Sequence, residues 1–221
     1  MSDIDRVVRA LVANLDEPPY AASRSDLSPI LCVLTVLLSL DKRKRGYVEE
    51  RIDRLQSPNP GYGTLAGIRD YAGAFPAVEQ YFLVDPRDDG KRAGLFLPLL
   101  DRLIDELRDS DGVREEDRAR TWAEAARPSD WTFGPFRGLG LKGFQHLRNL
   151  LGADTVVPTR EIVAFAGRAL GRELEATEAV YLLEKAAGRL GYSLAGIGGE
   201  SWLRASDGSS SRIDSQQPIQ G

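Results

Sequence analysis

Along most of the chain, apolar residues recur at three- and four-residue spacing, which is the helical period, while strand-like alternation is nearly absent. The pattern predicts helices over Asp3 to Leu15 and over Ser28 to Leu40. In the second of these, Ser28 or Asp26 stands near the cap and Pro29 in the first turn, where its missing N–H costs nothing. A third helix over Gly46 to Leu55 is stopped by Ser57-Pro-Asn-Pro-Gly-Tyr-Gly. Short helices follow over Thr64 to Ala72 and Phe75 to Phe82, and Pro86-Arg-Asp-Asp-Gly reads as a turn. Lys91 to Leu107 and Glu115 to Ala126 are helices, the latter ended by Pro128. A glycine-rich turn at Gly134 then leads into an amphipathic helix, and Glu161 to Leu170 and Thr177 to Leu190 complete the set. From Ser206 the chain is polar and low in complexity, which predicts a disordered tail over 206–221 after a folded region of 1–205. The expected fold class is all-α.

Composition narrows this picture only slightly. Of the 221 residues, 42% are hydrophobic and 28% charged, the balance of a soluble globular protein. The longest apolar stretch, Ile30 to Leu40, falls well short of the roughly 20 residues that span a bilayer. It is expected to be a core helix, and no membrane partner is expected. Met1-Ser-Asp-Ile-Asp-Arg carries no basic segment followed by an apolar one, so a cytoplasmic location is expected. A single cysteine, Cys32, inside the apolar run reads as a small buried hydrophobe, and a single histidine, His146, forms no metal cluster. No metal site is expected. The net charge of −4 argues against a protein basic all over, so a polyanion would have to meet a local basic face.

The most informative stretch is Gly134-Pro-Phe-Arg-Gly-Leu-Gly-Leu-Lys-Gly-Phe-Gln-His-Leu. Gly138 and Gly140 permit a tight turn that presents consecutive backbone N–H groups at the start of the next helix. Unpaired donors and the positive dipole end make such a helix start an anion site. The run Asp41-Lys-Arg-Lys-Arg45 adds four positive charges at the end of the apolar helix, either as a solvated turn or as a second phosphate contact through cations such as Lys42 and Arg43. Arg137, Arg148, Arg160 and Arg168 are expected to add charge on the hairpin side.

Phe136-Arg-Gly-Leu-Gly-Leu-Lys142 resembles the Leu-Pro-Gly-Val-Gly-x-Lys hairpin of the endonuclease III superfamily of helix-hairpin-helix DNA glycosylases. The likeness continues through Leu147 to Gly171, which resembles the stretch from the hairpin's second helix past the catalytic-aspartate loop. Upstream, Val36-Leu-Leu-Ser-Leu-Asp41 stands where the family has Leu-Leu-Ser-x-Gln, and Lys91-Arg-Ala93 resembles the start of the long helix before the hairpin. Leu182 to Trp202 resembles the closing segment, with Trp202 expected to pack on the core.

The resemblance implies a two-lobed helical glycosylase fold with an interlobe cleft, the hairpin lying near 134–150. It also implies duplex DNA as partner, a monomer associated with the nucleoid, and excision of a base flipped from the duplex. Arg137, Gly138, Leu139, Gly140, Gly143 and Arg160 would meet DNA, as would Asp41, which replaces a family glutamine that probes the DNA at the cleft. Lys142 stands at the position of the lysine that attacks the anomeric carbon in strand-nicking members. The family's aspartate is replaced: Thr159 falls at it and Glu161 at the histidine two residues on, while a shift of one place brings in Arg160. A threonine cannot offset oxocarbenium charge. Either another acid takes the role, among Glu161, Asp154 and Asp41, or the protein binds DNA without cutting it. Without the four C-terminal cysteines of many relatives no iron-sulfur cluster is expected, whereas a monovalent cation at the hairpin is compatible with the resemblance.

Overall fold

A computed structural model describes residues 1–14, 27–40, 45–55, 63–74 and 93–194, and every element among them is helical. The helix expected over Phe75 to Phe82, the Pro86 turn, Lys91 and Arg92, Trp202 and the tail from Ser206 lie outside the described residues, as do Asp41, Lys42 and Arg43. The helices are α1 (Asp3–Asn14), α2 (Pro29–Ser39), α3 (Arg45–Leu55), α4 (Leu65–Ala74), α5 (Ala93–Arg108), α6 (Glu115–Ala125), α7 (Phe136–Leu150), α8 (Arg160–Leu170) and α9 (Ala176–Leu190). A short 3-10 turn, Pro128–Thr132, precedes α7. Among these residues no helix is long and apolar enough to cross a membrane.

The chain divides into two compact units. One, Ser23–Val157, contains α2 to α7; the other joins Met1–Ala22 to Pro158–Gly221 and contains α1, α8 and α9.

In the larger unit α2 is the central helix. It is apolar on all sides, which only a helix covered all round can be, and Ile30, Cys32, Val33, Leu34, Val36, Leu37 and Leu38 are buried. Helices α3, α4, α6 and α7 pack against it, and α5 packs on α4 and α6. Pro29 opens α2 as expected, and the Cys32 thiol donates to the Leu150 carbonyl at 3.5 Å. Pro98 sits within α5 without ending it; its ring is exposed, while Phe96, Leu99, Leu100 and Leu103 on the opposite stripe enter the core.

The smaller unit is built from distant parts of the chain. Val7 and Leu11 of α1 are buried, and α1 packs on α8 and α9, whose inward stripes hold Ile162, Phe165, Leu170, Val180 and Leu183. Arg172 pairs with Asp3 at 3.1 Å and Glu178 at 2.6 Å, and Arg189 pairs with Asp5 at 2.7 Å. These contacts are exposed and screened by solvent, so burial rather than charge holds α1 in place. Gly171, at φ 71°, caps α8 in the left-handed region open to glycine.

Candidate functional site

The glycine-rich turn lies in the larger unit. Gly140 has φ 64° and ψ 171°, a combination essentially reserved for glycine, and it breaks α7 into a single turn over 136–139 and a new helix starting at Leu141. Two apolar side chains clamp the first turn to the core. Phe136 is buried and stacks on Trp122 with ring centroids 5.5 Å apart, and Leu139 is buried beside it in sequence order on the same inward face. With those two residues turned inward, Arg137, Gly138 and Lys142 are left exposed. The turn therefore presents a new helix start flanked by two cations, the arrangement that favours an anion.

Three glycines serve three different needs here. Gly140 supplies the backbone angle. A Cβ on Gly138 would stand 2.2 Å from the end of Leu95, and one on Gly143 would stand 3.0 Å from Leu40 and 3.1 Å from Leu139. Gly143 is buried and lets α7 approach α2, so its place is in the packing beneath the turn and not on the DNA-facing surface assigned to it from sequence. Leu139 is corrected likewise: its side chain belongs to the core, leaving only its main chain for a phosphate. Nothing stands within 4 Å of a Cβ on Gly140, so Gly140→Ala should act through backbone strain alone. The expected cost is about 1–3 kcal/mol, read as a lower urea midpoint; an unchanged midpoint would show that the turn adopts another conformation.

Arg148, expected on the basic side of the hairpin, is instead buried at 4% exposure. Its Nε donates to the Ala123 carbonyl at 3.0 Å and its Nη1 to Gln145 Oε1 at 2.8 Å. Thr155 Oγ1 donates to the same Gln145 oxygen at 3.0 Å, and Asn149 Nδ2 to the Thr155 carbonyl at 3.1 Å. A buried guanidinium is tolerated only when its donors are satisfied, and this network ties the second half of α7 to the end of α6 and to the segment that follows α7. Gln145 was not singled out from the sequence. The signal that could have found it is its place three residues before Arg148 and beside the apolar Phe144.

His146 follows Lys142 by one helical turn. Burial, and then the positive charge of Lys142, hold its imidazole below the ordinary value of 6.5. As pH falls through 6.5 the unfolded chain takes up a proton that the folded chain still refuses. Stability contributed by neutral His146 is therefore complete above that pH and is lost as pH drops through the lower folded value. His146→Gln should flatten this acid-side decline, measured as the urea midpoint at pH 7 against pH 5.5. Equal declines in the two proteins would count against it.

The other residues selected from sequence lie in the smaller unit. Thr159 is the N-cap of α8, and its hydroxyl accepts from the Ile162 N–H at 3.3 Å. Arg160 and Glu161 are exposed in the first turn that follows, and Arg168 is exposed further along α8. An open groove of about 850 Å³ runs along this helix, lined by Thr159, Arg160, Val163, Ala164, Arg168 and Leu174 among others. Asp154 is exposed and belongs to the larger unit. The lysine position and the threonine position are thus set by separate packing units. Among the described residues no group of three or more histidine, cysteine or acidic side chains is placed to hold a metal.

No protein-family model, no curated protein and no solved structure matches the chain.

Proposed function

We propose that this protein is a DNA glycosylase of the helix-hairpin-helix type, in which the turn at Gly138–Lys142 grips a backbone phosphate and the Lys142 amine attacks the sugar of a flipped nucleotide. The observation that carries the reading is the break at Gly140 (φ 64°, ψ 171°), which starts a fresh helix with Lys142 exposed at its second residue. The likeness of Phe136 to Lys142 to the glycosylase hairpin supplies the class of ligand. In the reaction, neutral Nζ forms a bond to the anomeric carbon as the bond from that carbon to the base breaks. The base leaves with the bonding pair and gains a proton, and Nζ gives one proton to solvent. The Nζ lone pair then forms the C=N bond as the bond from the anomeric carbon to the ring oxygen breaks; that oxygen takes up a proton, and the open-chain protonated Schiff base is the species that borohydride reduces.

A second reading keeps the DNA grip without turnover. It is favoured by Thr159, whose hydroxyl is engaged as a helix cap and which brings no carboxylate to the position where the family has its aspartate. Glu161, exposed two residues on, is the acid nearest in sequence to take that part.

The test is a panel of duplexes carrying uracil, 8-oxoguanine, oxidised or alkylated bases or an abasic site, incubated with the full chain. Strand breakage is read before and after alkali, and covalent adducts are trapped with borohydride. Breakage at one lesion together with a trapped adduct supports the glycosylase. Salt-sensitive binding with an uncut panel selects the second reading, and absence of binding at low salt overturns both.

A further inference from the structure

A second concave surface of the larger unit has the opposite chemistry to the turn. A pocket of about 540 Å³ is walled by the end of α5, by α6 and by the segment leading into α7. Of the aromatic residues that border it, Trp122 and Phe136 are buried and stacked on each other, while Phe133 is 61% exposed, against the usual burial of phenylalanine. Its charged residues are Arg102, Glu106, Asp109, Asp111 and Asp130, so carboxylates outnumber cations four to one.

These acids are not equivalent. Glu106 is ion-paired with Arg102, and Asp130 accepts from the Arg127 N–H at 2.7 Å as a cap of the 3-10 turn. Asp109 and Asp111 are exposed and have no ion pair among the described residues. A polyanion is repelled from such a surface, so the pocket does not extend the phosphate grip of the turn. The exposed Phe133 ring combined with uncompensated carboxylates suits a cation that can stack as well as pair. Guanidinium does both, being planar and more weakly hydrated than an ammonium ion.

We infer that this pocket docks an arginine side chain presented by a basic segment of a partner protein, with Phe133 contributing the stacking face and Asp109 and Asp111 the charge. A space of about 540 Å³ exceeds one guanidinium, which leaves room for the aliphatic stem and neighbouring residues of a peptide. The occupant is therefore a segment of chain and not a free small cation.

The test uses a fluorescent peptide of alternating arginine and glycine titrated into the full chain at low salt, beside the same peptide with lysine and beside N-acetylarginine amide. The arginine peptide should bind more tightly than both. Phe133→Ala should weaken it about ten-fold, Phe133→Tyr should restore it, and the Asp109→Asn/Asp111→Asn pair should weaken it at least as much. All three positions are exposed, so the core is untouched, and duplex DNA binding should not weaken in any of these variants. Equal binding of the arginine and lysine peptides with no effect of Phe133→Ala would mean mere attraction to an acidic protein and would overturn the inference. So would absence of peptide binding, or binding of N-acetylarginine amide as tight as that of the peptide.

Discussion

Lys142→Ala should remove the borohydride-trapped adduct while leaving affinity for duplex DNA within a few-fold of the wild type. The two effects separate because the lysine has two properties. As a charge it is one of several that neutralise phosphates, so its loss weakens binding modestly and lowers the salt slope by about one. As a nucleophile it has no substitute among the exposed groups of the turn, since Arg137 is a guanidinium that stays protonated. Lys142→Arg isolates the second property: it keeps the charge and so should keep both affinity and salt slope. Turnover to the Schiff base should fall on the order of a thousand-fold or more in both variants. If either variant still yields the adduct at the wild-type rate, the amine lies elsewhere and Lys142 is a phosphate contact only.

Arg148→Met should destabilise the protein by about 3–5 kcal/mol, although the residue touches neither the turn nor the solvent to any extent. The substitution removes donors from the Ala123 carbonyl and from Gln145 Oε1, both inside the unit, and leaves them without water to replace what was lost. In a chain of this size that corresponds to a fall in Tm of roughly 10 °C. Arg148→Met combined with Gln145→Leu and Thr155→Val should be milder than the single change, because the acceptors are removed along with the donors. A single variant within about half a kcal/mol of wild type would show that water reaches the network. The same variant bears on function only indirectly, by loosening the helix that carries Lys142.

The helical architecture is legible in the residues. An apolar run too short for a membrane and with proline in its first turn could only be a covered helix, and α2 is that helix. The turn is also legible, because Gly140 occupies a backbone region that other residues avoid. The boundary at α8 was displaced by one residue: Thr159 is a good cap, and weighing its hydroxyl would have begun the helix at Arg160 and not at Glu161. Arg148 was misplaced for a physical reason. Arginine is seldom buried, and the feature that permits it, a glutamine of its own helix and the Ala123 carbonyl of another, has no local signature. The site residues themselves fall in two units, and which unit claims a segment depends on packing partners that periodicity does not reveal. The acidic aromatic pocket was invisible for the same reason, since α5, α6 and Phe133 meet there only after folding.

Because α1 packs with α8 and α9, the order of synthesis and the order of assembly differ in this protein. The ribosome delivers α1 before any part of the larger unit, yet its partners come only after all of that unit has been made. Val7 and Leu11 must wait in solvent or in transient company until α8 and α9 have been made, so the docking of α1 comes late in assembly. The unit that carries the turn is contiguous and can close without them. A lesion in the first fourteen residues should therefore show itself at the opposite end of the chain, as loosened α8 and α9, and chaperones meeting the unfinished protein would find its exposed apolar surface at both ends and not in the middle.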